Sequence, residues 1–176
     1  MVSAEACPRL DLNNGMKIPQ VALGTFRITE NCAEVVKAAI VDHGYRHIDC
    51  AKVYDNEKEV GDGIKLAIEA GVPREELFIT TKIWHTDKAQ VEAACKESLE
   101  KLQLDYIDMY MIHWMTPGMN TDGEIWETTG PPQYLVWKDM EALVKNGLAK
   151  SIGVSNATAP ILIDIIAGAE IKPVMN

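Results

Sequence analysis

Of 176 residues, 47% are hydrophobic and 24% charged, the composition of an ordinary folded domain. A formal net charge of -9 repels phosphate backbones and anionic lipid, and no stretch approaches the ~18 apolar residues of a membrane span. Nucleic-acid and membrane partners are therefore not expected. The four cysteines, Cys7, Cys32, Cys50 and Cys95, lack CxxC spacing, and MVSAEACPRL has no apolar signal core, so free thiols in a cytoplasmic protein are expected.

Taken in chain order, Asn14-Gly15 predicts a tight hairpin between Arg9–Leu12 and Met16–Ile18. A first strand follows near Gln20–Leu23. A helix begins near Asn31, where Asn31 and Glu34 have capping-box spacing and Val35, Val36, Ala39 and Ile40 form one apolar face. The second strand is Arg46–Asp49. Asn56 and Glu59 repeat the cap spacing ahead of a helix lined by Val60, Ile64, Ala67 and Ile68, which Gly71 and Pro73 end. The third strand is Leu77–Thr81. Asp87 stands ready to cap a helix presenting Val91, Cys95, Leu99 and Leu102. The fourth strand, Tyr106–His113, is mostly apolar, as a strand covered on both faces should be. A long loop, Thr116–Pro132, precedes a helix over Gln133–Lys145 with Val136, Met140, Leu143 and Val144 inward, ended by Asn146-Gly147. The fifth strand is Ala149–Val154, a helix covers Ala159–Ala167, and Pro173–Met175 reads as a sixth strand.

Strand–helix alternation with short links implies parallel strands and right-handed crossovers. An open doubly wound sheet would carry a glycine-rich phosphate loop after its first strand. None is present, and Gly61-x-Gly63 falls inside a helix pattern. Polar residues stand instead at the carboxyl ends of several strands, which favours an α/β fold closed as a parallel barrel. Such a barrel needs about 250 residues. Residues 1–176 are therefore expected to form one barrel domain that lacks its C-terminal part, with a genuine six-stranded open sheet as the alternative.

Four polar side chains end or follow successive strands: Asp49, Tyr54, Lys82 and His113. Parallel strands aim these ends at one face. A free phenol has a pKa near ~10, and a neighbouring ammonium favours its ionised form. Lys82 would supply that charge, Asp49 would hold Lys82, and His113 would orient a substrate oxygen. Together the four suit protonation of a carbonyl oxygen. Singly, each has a plainer use: a rim ion pair for Asp49 and Lys82, a loop aromatic for Tyr54, a core histidine for His113. Lys82 is also a candidate Schiff-base nucleophile of a lyase. His43 and His47 flank Gly44 and share no helical face, so no metal site is expected.

Gly44-Tyr45-Arg46-His47-Ile48-Asp49-Cys50-Ala51, with Tyr54, Asn56-Glu57 and Val60-Gly61, resembles a signature of the aldo-keto reductase family. Leu104 to Trp114, Gly147 to Asn156 and Thr81-Lys82-Ile83-Trp84 are similar to its other motifs, and the likeness runs from about Gly15 to Asn176. The branch it most resembles is that of aldose and aldehyde reductases. The resemblance implies a (β/α)8 barrel, of which this chain supplies about six strands. It implies NADPH-dependent reduction of aldehydes, sugar aldehydes included, by a protein that is monomeric when complete. Tyr54 would be the acid, tuned by Lys82 and Asp49, with His113 orienting the carbonyl. Gly24, Thr25, Asp49, Ser155 and Asn156 would meet the cofactor, the last two at its carboxamide. Phe26, Trp84 and Trp114 would wall the substrate pocket. Phe26 stands where many relatives have tryptophan, and Ala157 where many have phenylalanine. The basic residues that clasp the adenosine 2′-phosphate in relatives lie beyond Asn176, so NADPH rests on the resemblance alone. A non-catalytic module that merely binds the cofactor is a further alternative.

Overall fold

The computed structural model describes residues 7–115 and 130–176. Asn14-Gly15 makes the predicted turn: Gly15 adopts a φ of 83°, Leu12 N donates to Met16 O at 2.8 Å, and Met16 N donates to Asn14 Oδ1 at 3.1 Å. The turn joins β1 (Arg9–Asp11) to β2 (Lys17–Pro19) in antiparallel register. A parallel sheet follows, made of β3 (Leu23–Gly24), β4 (His47–Asp49), β5 (Phe78–Ile83), β6 (Met109–Ile112) and β7 (Ile152–Val154). Its spatial order is its sequence order, without the reversal that defines a doubly wound sheet. The crossovers contain α1 (Cys32–Val41), α2 (Glu57–Glu69), α3 (Val91–Leu102) and α4 (Gln133–Lys145), and α5 (Ala159–Gly168) follows β7.

Strand periodicity sorts the side chains into two layers. Ile48, Ile79, Ile83, Tyr110, Ile112, Ile152 and Val154 face the helices, in two cores built with α1 and α2 and with α3, α4 and α5. The alternate positions, Phe78, Met109 and Met111, pack with Ile18 of the hairpin on the inner face, with Leu12, Met16, Val174 and Met175 beside them. The hairpin is fastened there by His47, whose Nδ1 lies 3.3 Å from Pro19 O while Nε2 lies 2.9 Å from Thr80 Oγ1. The same alternation puts Asp49 and Lys82 on the inner face, at the carboxyl ends of β4 and β5.

The glycine pair in α2 serves packing. A Cβ at Gly61 would stand 2.6 Å from Lys101 O, and one at Gly63 would stand 2.6 Å from Ala33 O. Both allow α2 to approach its neighbours, α3 and α1, more closely than alanine would.

Several local expectations change. Asn31, at a left-handed φ of 52°, and Asn56 make no side-chain cap bond, and Gln90 rather than Asp87 precedes α3. Val35 and Ile68 are exposed rather than inward. Lys82 lies within β5 and not after it. Among the described residues the parallel sheet holds five strands. The expected sixth, Pro173–Met175, is no strand of that sheet, yet Val174 N donates to Ile152 O and Val154 N donates to Met175 O, both at 3.0 Å. The segment thus lies along β7 with too few bonds to extend the ladder. Most of the long predicted loop, residues 116–129, lies outside the described residues. Among the described residues no helix is long and apolar enough to cross a membrane.

Candidate active site

Asp49, Tyr54, Lys82 and His113 converge at the carboxyl ends of β4, β5 and β6. Lys82 is buried, and a buried ammonium needs partners for each of its hydrogens. It donates to Asp49 Oδ1 at 2.7 Å, to Cys50 O at 2.8 Å and to Tyr54 Oη at 3.4 Å. Because Lys82 only donates, the phenol's own hydrogen is left to point elsewhere. Tyr54 ends a short 3-10 turn, Lys52–Tyr54, which begins after Cys50 and Ala51 beyond β4 and sets the ring against Lys82 and His113.

The rings form a continuous wall. Tyr54 meets His113 edge-on at 5.6 Å between centroids, His113 meets Trp84 at 5.2 Å, and Phe26 packs on Tyr54 at 5.0 Å. Trp114 is half-buried beside His113 and lies outside this string of contacts. His113 Nδ1 is buried with no hydrogen-bond partner among the described residues. Burial, and then the Lys82 charge, push the imidazole pKa down to about 4. A neutral imidazole carries one N–H donor, which suits hydrogen bonding to a carbonyl oxygen. The arrangement can therefore hold a carbonyl oxygen between a phenol and an imidazole.

The residues expected at the cofactor are gathered on the same face. Thr25 is buried, with its N and Oγ1 donating to Asp49 O at 3.0 and 3.1 Å. Gly24 is paired with Asp49 in register and faces open space, with nothing within 4 Å of where a Cβ would stand. Ser155 and Asn156 follow β7. Asn156 Nδ2 donates to His113 O at 2.8 Å and to Ser155 Oγ at 3.0 Å, which leaves the serine hydroxyl as donor and Asn156 Oδ1 as acceptor. That pair complements a primary carboxamide, so the residues present fit a nicotinamide. Among the described residues no group of histidine, cysteine and acidic side chains could hold a metal ion.

Three buried polar residues around the site take roles that the sequence reading did not assign to them. Asn56 donates to Thr25 O at 2.8 Å and to Ile28 O at 3.2 Å, holding the loop after β3 instead of capping α2. Glu57, whose pKa burial raises, accepts from Thr81 Oγ1 at 2.6 Å and Ser98 Oγ at 3.2 Å behind β5. Lys88 donates to Met115 O at 2.9 Å, joining the segments after β5 and β6, and burial lowers its pKa to about 8. Only Asn56-Glu57 carried a signal, their place just after the tyrosine turn; Lys88 had none.

A parallel sheet wound in sequence order, with polar groups gathered at its carboxyl ends, is the β/α-barrel arrangement. The chain belongs to the aldo/keto reductase family, whose sequence model matches residues 20–176. It is 42% identical to the NADH-dependent D-xylose reductase of Candida parapsilosis, over 99% of this chain and 59% of that protein. It is 44% identical to the glyoxal reductase of Bacillus subtilis, over 94% of this chain and 55% of that one. Among solved structures, the aldose reductase of Schistosoma japonicum matches with a TM-score of 0.88 at 37% identity, covering 96% of this chain and 60% of its own. The Bombyx mori aldo-keto reductase in complex with NADP matches with a TM-score of 0.84 at 43% identity, covering 96% and 56%. The chain thus spans 55–60% of the length of these relatives.

Proposed function

We propose that the complete protein is an oxidoreductase that reduces aldehydes, sugar aldehydes among them, to alcohols. The observation that carries this reading is the Lys82 ammonium held between Asp49 and Tyr54, with His113 across the phenol ring. The substrate carbonyl oxygen sits between Tyr54 Oη and the His113 imidazole. Tyr54 gives its proton to that oxygen as negative charge develops there, and Lys82 stabilises the phenolate left behind. Reduced nicotinamide, when bound, supplies the hydride to the carbonyl carbon. Ser155 and Asn156 hold its carboxamide, and Gly24, Thr25 and Asp49 line its approach. Phe26, Trp84 and Trp114 wall the pocket against water. We take the cofactor to be NADPH, by the family resemblance, although one relative's name specifies NADH. A Schiff-base role for Lys82 fits poorly, because all three of its hydrogens are engaged.

The test is Tyr54→Phe in the complete protein. Turnover of aldehydes should fall by about 100-fold or more, the range of general acid catalysis, with cofactor affinity retained. Near-normal kcat would refute the acid assignment. Comparing NADPH with NADH in the same assay decides the cofactor.

A further inference from the structure

Lys52 opens the turn that carries Tyr54, and its side chain points away from the site. Its ammonium reaches Glu97 Oε2 on α3 at 2.8 Å and Asp87 Oδ1, in the 3-10 segment after β5, at 3.2 Å. Glu97 is also bound by Lys101 at 2.7 Å. Asp87 N donates to Trp84 O at 3.1 Å, so this acid is fixed to the residue whose ring abuts His113. The turn has little to hold it from within. Tyr54 N donates to Ala51 O at 3.0 Å, Asp55 N donates to Lys52 O at 3.2 Å, and Asp55 sits at a left-handed φ of 55°. A single turn of 3-10 helix is weakly bonded. Its orientation must come from outside contacts, and Lys52 makes two of them. The side chain is 22% exposed, so its pairs are less screened than those of an open surface lysine. Burial works against the Lys52 charge, but the bonds from Glu97 and Asp87 outweigh it and raise its pKa. Glu97, bound first by Lys101 and then by Lys52, is pulled down to about 2.

We propose that Lys52 is a positioning residue. Through Asp87 and Glu97 it clamps the Lys52–Tyr54 turn to the Trp84 segment and so holds the phenol oxygen at Lys82. The proposal rests on Tyr54 being the acid, and its test separates the two claims. In the complete protein, Lys52→Met should raise amide hydrogen exchange at Tyr54 and Asp55 roughly two- to fivefold, with α2 and α3 unchanged. The kcat should fall by a similar factor with KM for the aldehyde unchanged, and the isotope effect from deuterium at the transferred cofactor position should grow. Lys52→Arg should restore all three readouts. Unchanged exchange at the turn overturns the clamp, whatever happens to turnover. Exchange that rises throughout α2 and α3, with no change in the isotope effect, also overturns it, since that is general loosening. If the unaltered protein reduces no aldehyde, the proposed function fails, and the exchange measurement alone decides whether Lys52 orders the turn.

Discussion

At His113, burial and the Lys82 ammonium act in the same direction, each disfavouring a second proton. The folded pKa of about 4 lies below the ordinary 6.5. Between these values the unfolded chain binds the extra proton, so this group's stabilising contribution is full above pH 6.5 and is lost as pH falls toward 4. His113→Gln should flatten the dependence of Tm on pH across that window relative to the unaltered protein. Parallel curves for the two proteins would show that the imidazole is not held neutral. The four candidate catalytic residues were legible at this scale because each combines a reactive side chain with a place at a strand end. Lys52 and Lys88 were not legible. A lysine two residues from a tyrosine is ordinary sequence, and only folding reveals that Asp87 and Glu97 come round to meet it.

At the scale of elements, the parallel strands and helices were readable from apolar periodicity, since Val60, Ile64 and Ala67 recur at helical spacing and are buried in α2. The ends were less readable. Asn31 and Asn56 have capping chemistry, but Asn31 adopts a left-handed backbone and Asn56 is drawn to the Thr25 and Ile28 carbonyls by tertiary contact. The glycines of α2 were correctly set apart from a phosphate loop, but their use in packing needed the neighbouring backbones. Gly61→Ala would put a methyl group 2.6 Å from Lys101 O and 2.7 Å from the Leu102 backbone, which cannot turn aside as a side chain can. Overpacking of this kind costs about 1–3 kcal/mol. The midpoint of denaturant unfolding should fall accordingly, while an unchanged midpoint would mean that α2 and α3 can separate at no cost.

For the whole molecule, sequence-ordered parallel strands bring groups from Asp49 to Asn156 to one end of the sheet, although they are far apart along the chain. The fold thus brings a phenol, the ammonium beside it and a hydrogen-bonded serine–asparagine pair together from separate stretches of the chain. The barrel class followed from the distribution of polar strand ends. The strand count did not, because Pro173–Met175 has strand composition but makes only two bonds along β7.

The central claim, that Tyr54 and Lys82 act as one proton-donating unit, is tested most directly by single-turnover reduction of an aldehyde in the complete protein. The variants to compare are Tyr54→Phe, Lys82→Met and the two combined. Groups that act as a unit are non-additive, so the double variant should lose little beyond the Tyr54→Phe variant. Losses that multiply, or a Tyr54→Phe variant as fast as the unaltered protein, would contradict it.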